Sequence, residues 1–232
     1  TNFIKNRRLY ILINGFHGSM GQTLKNLCEK ESDIIVQDFK AEGINLREAS
    51  VVIDFSSPEG FIFSLKSCID HKLPLISGTT GLTDEHLNLV DVAKKSIPIL
   101  IASNMSLGIA NLKNSIEHYL SSISTTLKCK IVEIHHINKQ DSPSGTALEI
   151  LRLLEHLIKN KIEGPIEVQS YRIGNNFGIH RVEFENKEGI TSFQHIANSR
   201  DIFAIGTMKA ARWIASKEAG KYLFADFLNK KL

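Results

Sequence analysis

The chain has 232 residues, 42% hydrophobic and 23% charged, with 28 Lys and Arg against 25 Asp and Glu. That composition excludes a disordered chain, and a net charge of +3 gives no concentrated basic face for nucleic acid. At roughly 150 residues per domain it allows one large domain or two small ones. No apolar run approaches the ~20 residues of a membrane helix. Lys5, Arg7 and Arg8 precede the apolar run Leu9–Ile13, but that run falls short of the roughly 7–15 residues of an export signal. Cys28, Cys68 and Cys129 are odd in number and lack metal or redox spacing. They read as buried small hydrophobes in a reducing, cytoplasmic setting.

In the first half, short apolar runs alternate with helical patterns. Leu9–Ile13, Ile34–Val36, Val51–Ile53, Leu73–Ile76 and Ile97–Ile101 read as strands. Met20, Leu24, Leu27 and Cys28 fall on one helical face. So do Ile62, Leu65 and Ile69, and Leu87, Val90 and Lys94. Alternation of this kind predicts an α/β fold with a Rossmann-type parallel sheet covered on both faces. The second half predicts a smaller α+β domain with a mixed sheet. Asn111–Leu120 and Ala147–Ile158 read as helices, and Lys128–His136, Val168–Arg172, Arg181–Phe184 and Ile190–His195 as strands. Asp201–Ser216 reads as a further helix, with Gly220 as its stop signal. A domain boundary is expected near Ser106-Leu107-Gly108.

Two stretches carry chemistry. Gly15-Phe16-His17-Gly18-Ser19-Met20-Gly21 follows the first strand and opens the first helix. Glycines there permit a tight turn and a close backbone approach to a pyrophosphate, which the helix N-terminus favours. A tight turn with no ligand is the alternative. Asp38, about twenty positions after Gly15, suits the adenine ribose hydroxyls. Lys40 suits a 2′-phosphate instead, and both also read as solvated loop charges.

The second stretch runs from Glu133 to Thr146. Period 2 puts Glu133 and His135 on one strand face and His136 on the other. Lys139 lies in the turn that follows. Pro143 and Ser144 start a helix whose N-terminus offers Gly145 and Thr146 as donors to a carboxylate. His135 and Lys139 beside such a site are candidate proton donors. No His spacing here suits a metal, and none is expected. A capped helix with incidental surface histidines is the competing reading. Further polar clusters fall at strand ends: Asp54-Phe55-Ser56, Gly78-Thr79-Thr80-Gly81 and Ala102-Ser103-Asn104-Met105-Ser106. Open α/β sheets bind ligands there.

Taken together, Val-Ile-Asp54-Phe-Ser, Gly78-Thr-Thr-Gly81, Ala102-Ser-Asn-Met-Ser106, His135-His-x-x-Lys139-x-Asp-x-Pro-Ser-Gly-Thr146 and Ser170-x-Arg172-x-Gly174-x-x-x-Gly178-x-His180 resemble the 4-hydroxy-tetrahydrodipicolinate reductase family. Ala204-x-Gly206 with Ala210-Ala-x-Trp213 fits as well. The resemblance implies a dinucleotide-binding domain formed by 1–106 with 200–232, a substrate-binding and oligomerisation domain formed by 107–199, and a homotetramer that reduces a small dicarboxylate with NADH or NADPH in lysine and diaminopimelate biosynthesis. It implies Gly15–Met20 at the pyrophosphate, and Gly78, Thr79, Thr80, Ala102, Ser103, Asn104 and Met105 along the nicotinamide. It implies His135 and Lys139 as the acid–base pair, with His136, Ser144, Gly145 and Thr146 binding substrate. Against the family pattern, stretches 40–50 and 159–170 are abbreviated. Ser57 stands where many members carry a basic residue, and the family's acidic position falls near Ala41 and Glu42 rather than Asp38. NADH versus NADPH is therefore open. Another amino-acid dehydrogenase would explain the glycine turn but not the His135–Thr146 string. A nucleotide sensor without catalysis would have no reason to keep His135 and Lys139.

Overall fold

A computed structural model describes residues 8–157 and 161–228. Lys5 and Arg7, weighed above as the basic flank of a leader, and Ile158, the expected end of a helix, lie outside the described residues. The chain divides into two compact units. One comprises the residues up to Met105 and those from Phe203 on; the other is Ser106–Ile202.

The first unit begins β1 (Leu9–Asn14), α1 (Ser19–Cys28), β2 (Ile34–Asp38), β3 (Val51–Asp54), α2 (Pro58–His71), β4 (Leu75–Ser77), α3 (Asp84–Ala93) and β5 (Pro98–Ile101). Every residue of β3 and β4 is buried, as is β1 from Tyr10 on, because both faces of the sheet are covered. Two strand starts lie later than their apolar runs suggest. The Leu73 N–H closes the turn after α2 on the Cys68 carbonyl (2.9 Å), and the Ile97 N–H bonds back to Ala93 (3.1 Å). Both side chains are buried, yet their backbones finish helices.

The second unit contains α4 (Leu107–Ser122), β6 (Lys128–His135), α5 (Gly145–Leu157), β7 (Glu167–Arg172), β8 (Ile179–Asn186) and β9 (Gly189–Ile196). Its sheet order is β7-β6-β8-β9, with β6 parallel to β7 and antiparallel to β8, and β8 antiparallel to β9. Ile131, Val182 and Phe184 face a core shared with Ile109, Leu112 and Ile116 of α4 and with Ala147, Ile150 and Leu154 of α5. By alternation Glu133 and His135 share the face of Ile131.

The chain then forms α6 (Asp201–Ile214), β10 (Gly220–Tyr222) and α7 (Phe224–Leu228). From Phe203 on it belongs to the first unit, where β10 pairs with β5 in the order β10-β5-β4-β3-β1-β2, all parallel. Gly220 is therefore not a helix stop. The helix ends earlier, at Ile214, and Gly220 opens an edge strand whose N–H bonds the Ile97 carbonyl at 3.2 Å. Three residues are too few to show a strand period. Within α6, a Cβ on Gly206 would lie 1.7 Å from the Met105 carbonyl oxygen, so only glycine lets the helix sit there.

The register of the parallel sheet sets up its functional edge. Ile13 pairs with Asp38, Asn14 with Asp54, Asp54 with Ser77, and Ser77 with Ile101. The strands thus end level, and the polar clusters that follow them line one edge.

Candidate active site

In the first unit, Gly15 sits at φ +83°, and a Cβ there would lie 2.2 Å from the Phe55 carbonyl oxygen. A Cβ on Gly21 would lie 2.2 Å from the Gly15 carbonyl oxygen. Gly18 is the N-cap of α1, in extended conformation, with no side chain capping the helix. Ser19 and Met20 form its first turn. A bare helix start behind a glycine turn fits a pyrophosphate, since backbone N–H groups and the helix dipole are presented without an obstructing side chain. His17 and Phe16 flank this turn, with their rings edge to face. His17 Nε2 lies 3.1 Å from Asp38 Oδ2, and Asp38 Oδ1 accepts the Lys40 N–H at 2.9 Å. Asp38 is thus beside the turn, where a ribose would be read.

The buried carboxylate of Asp54 organises the rest of this edge. It accepts hydrogen bonds from Asn14 Nδ2 (3.1 Å), Ser77 Oγ (2.9 Å), Thr79 Oγ1 (2.6 Å) and Ser56 Oγ. The Gly78 N–H bonds the Asp54 carbonyl at 2.9 Å, and the Ala102 N–H bonds that of Ser77 at 3.1 Å. Thr79 therefore spends its hydroxyl inward and its N–H on Ser77 Oγ at 3.2 Å, while Thr80 is exposed. Ala102, Ser103 and Asn104 leave the end of β5 partly or fully exposed. Met105 differs: it is buried, and its sulfur accepts Thr207 Oγ1 at 3.3 Å. Its side chain is core, not lining. Sequence reasoning noticed Asp54 only as part of a loop cluster. Its role needs the ends of β1, β3 and β4 in register, which no local pattern carries.

In the second unit, the end of β6 holds a compact polar network. Glu133 is fully buried and His135 nearly so. Glu133 Oε2 is hydrogen-bonded to His135 Nδ1. Glu133 Oε1 accepts Arg172 Nη2 at 2.9 Å and the Ser144 N–H at 3.1 Å. Burial pushes the Glu133 carboxyl up, but the hydrogen bonds from His135 and Arg172 outweigh it and hold it down at about 2. His180 packs edge to face on His135, with ring centroids 5.0 Å apart, and its Nε2 lies 3.2 Å from Ser144 Oγ. Burial, with the charge of His135 next, pushes His180 down to about 3, so it stays neutral. Ser144 Oγ also accepts the Ala147 N–H at 3.2 Å and so caps α5. Its hydroxyl is committed to structure, leaving Gly145 and Thr146 as the first turn.

Beyond the strand, Lys139 Nζ lies 2.7 Å from Asp141 Oδ1, and Asp141 Oδ2 accepts the Gly145 N–H at 3.3 Å. His136 is pushed down by its partial burial and then by the charges of Arg200, Lys139, His135 and Arg172. This is an electropositive neighbourhood suited to a dicarboxylate. His135, His136, Lys139, Gly145 and Thr146 are thus brought together, while Arg172, His180 and Glu133 were not assigned roles from sequence. The strand register supplies them: His135 pairs with Arg172 across β7, and Glu133 with His180 across β8.

Glu133, His135 and His180 also place ligand-type atoms within 4.8 Å of one another, a trio that sequence spacing does not reveal because it spans two strands. The adjacent Arg172 guanidinium opposes a cation, and both carboxylate oxygens already accept hydrogen bonds. The arrangement suits proton transfer better than metal binding.

Comparison with known proteins agrees over both units. Residues 9–105 match the family model described as dihydrodipicolinate reductase, N-terminus, and residues 108–228 match the corresponding C-terminus. The 4-hydroxy-tetrahydrodipicolinate reductase of Bdellovibrio bacteriovorus is 34% identical over 227 residues, covering 96% of this chain and 97% of that protein. That of Sulfurimonas denitrificans is 39% identical over 199 residues, covering 79% and 78%. Among solved structures, dipicolinate-bound dihydrodipicolinate reductase from Paenisporosarcina sp. TG-14 shares the fold with a TM-score of 0.73 at 19% identity, covering 93% of this chain and 97% of that one. With both halves matched in order and near-complete relatives above 30% identity, the chain belongs to the dihydrodipicolinate reductase family.

Proposed function

We propose that this protein catalyses the NADH- or NADPH-dependent reduction of the intermediate derived from 4-hydroxy-tetrahydrodipicolinate, giving tetrahydrodipicolinate for lysine and diaminopimelate biosynthesis. The observation that carries the reading is His135, bonded to a buried carboxylate and grouped with Lys139 and the α5 N-terminus. A reduced nicotinamide supplies a hydride to a conjugated imine when bound. The negative charge that then builds on the substrate ring has to be met by a proton. His135 gives that proton and regains one from solvent. Lys139 stabilises the developing charge. Gly145 and Thr146, with His136 in its cationic surroundings, hold the carboxylates. Gly15–Met20 hold the pyrophosphate and Asp38 the ribose, with Gly78–Thr80 and Ala102–Asn104 toward the nicotinamide.

The protein acts in the cytoplasm as a homotetramer. No helix of the described residues is long and apolar enough to cross a membrane. The outward face of the four-stranded sheet carries a cross-strand row, Tyr171–Ile134–Ile179–Ile196, of which Tyr171 and Ile196 are exposed. Such a row suits a second copy of the sheet, and light scattering tests it.

The test of activity is a coupled assay. Pyruvate, aspartate semialdehyde and the upstream synthase generate the labile substrate in place, and oxidation of NADH and NADPH is followed separately. Protein-dependent oxidation supports the reading, and the ratio of rates gives the cofactor preference. His135→Gln lowers turnover by about 10²–10⁴-fold with the fold intact. No oxidation of either cofactor, with the synthase active, points to a nucleotide-binding protein without catalysis.

A further inference from the structure

We propose that Glu133 is the positioning residue of the proton donor: it takes the Nδ1–H of His135, so that Nε2 delivers the proton, and it ties that imidazole to the helix end that receives substrate. The inference rests on His135 being the donor, as argued above.

Hydrogen bonding fixes the tautomer. An ionised carboxylate only accepts, so the His135 nitrogen bonded to Glu133 Oε2 carries the hydrogen. The carboxylate is ionised throughout the working range, because the bonds from His135 and Arg172 overcome the effect of burial. Nor is it free to rotate away. Arg172 Nη2 and the Ser144 N–H grip its other oxygen at 2.9 and 3.1 Å.

The opposite edge of the ring is kept open by Gly178. A Cβ there would lie 3.0 Å from His135 Nε2, and the residue sits at φ +141°, where side chains are rarely tolerated. Space is thus preserved beside the one nitrogen that Glu133 leaves for transfer.

The third link is mechanical. Ser144, whose N–H holds Glu133, is also the residue whose hydroxyl caps α5. One carboxylate therefore sets both the proton donor and the first turn bearing Gly145 and Thr146. Proton balance is simple: Nε2–H is lost to the substrate ring anion formed by hydride addition, and the imidazole is reprotonated from water. A carboxylate behind the ring holds it in the orientation and tautomer that leave Nε2 for transfer, as an orienting group does for a histidine base.

The test compares Glu133→Gln, Glu133→Asp and His135→Gln in the coupled assay, with synthase in excess. Glu133→Gln is expected to lower kcat by about 10–100-fold, as loss of an orienting partner does, with a much smaller change in the apparent KM. Glu133→Asp keeps a carboxylate behind the ring and is expected to recover part of kcat, whereas a merely structural defect would not be rescued by the shorter acid. Unchanged kcat in Glu133→Gln, with His135→Gln inactive, overturns this inference alone. An active His135→Gln overturns the assignment of the donor instead. Should Glu133→Gln fail to fold, having lost the carboxylate that pairs with the Arg172 charge, ¹⁵N spectra of histidine-labelled wild-type protein decide. Neutral His135 is expected as the Nδ1–H form, and the Nε2–H form refutes the proposal.

Discussion

Asp141 already occupies donors that a substrate carboxylate would use. Its carboxylate joins Lys139 Nζ at 2.7 Å to the Gly145 N–H at 3.3 Å, and Asp141 is exposed. Burial raises its pKa somewhat, but the bonds and charge of Lys139 lower it further, so it competes as an anion. A partly exposed pair of this kind contributes about 0.2–1 kcal/mol. Asp141→Asn is therefore expected to lower the apparent KM by about 1.4–5-fold, read from initial rates against substrate concentration. An unchanged or higher KM would show that Asp141 supports the site rather than competes for it. The sequence makes this contact partly visible, since Lys139, Asp141 and Gly145 lie within one short loop. Alternation likewise places Glu133 and His135 on one face. What it hides is every partner from another strand. Arg172 and His180 meet Glu133 only because β7 and β8 pair with β6 in one particular register, and a slip of one residue would turn each to the other face.

Among the elements, α1 shows how little tolerance the nucleotide turn has. A Cβ on Gly21 would lie 2.2 Å from the Gly15 carbonyl oxygen and 2.7 Å from that of Phe16, and both are backbone atoms that cannot swing aside. Gly21→Ala is expected to push the first turn of α1 away from β1 and to cost about 1–3 kcal/mol, as overpacking does. The displaced N–H groups should weaken NADH and NADPH binding at least tenfold, measured by quenching or enhancement of cofactor fluorescence. Binding equal to wild type would mean that the turn is structural only. The strand–turn–helix pattern made this element readable, because glycine spacing and periodicity are both local signals. The boundary errors share a different cause. Leu73 and Ile97 are buried and apolar like strand residues, but their N–H groups finish helices. Gly220 looks like a helix stop because β10 is an edge strand of three residues. In each case backbone hydrogen bonding decided the element, and apolar pattern does not report it.

Acid sensitivity should start in one unit. His180 is buried, and burial together with the charge of His135 depresses it from 6.5 to about 3. A histidine with a depressed folded pKa takes up protons more readily when unfolded. Stability is therefore full above 6.5 and falls as pH drops from 6.5 toward 3. Glu133, held at about 2 against a reference of 4.5, adds a second loss between 4.5 and 2. The His180 contribution is at most about 5 kcal/mol by linkage, a large share of the stability of a typical domain. Both groups belong to the unit Ser106–Ile202, whereas the single tryptophan, Trp213, is buried in the other. Urea unfolding at pH 7.5, 6, 5 and 4, followed in parallel by far-ultraviolet circular dichroism and by tryptophan fluorescence, separates the two. The dichroism midpoint should fall first and furthest, and the gap between the probes should widen as pH drops. His180→Gln, which cannot titrate, should flatten the dichroism slope between pH 6.5 and 4.5 while leaving the steeper loss below 4.5 to Glu133. A variant whose slope matches wild type would assign the acid response to groups other than His180. Coincident probes at every pH would show instead that the two units unfold as one cooperative body.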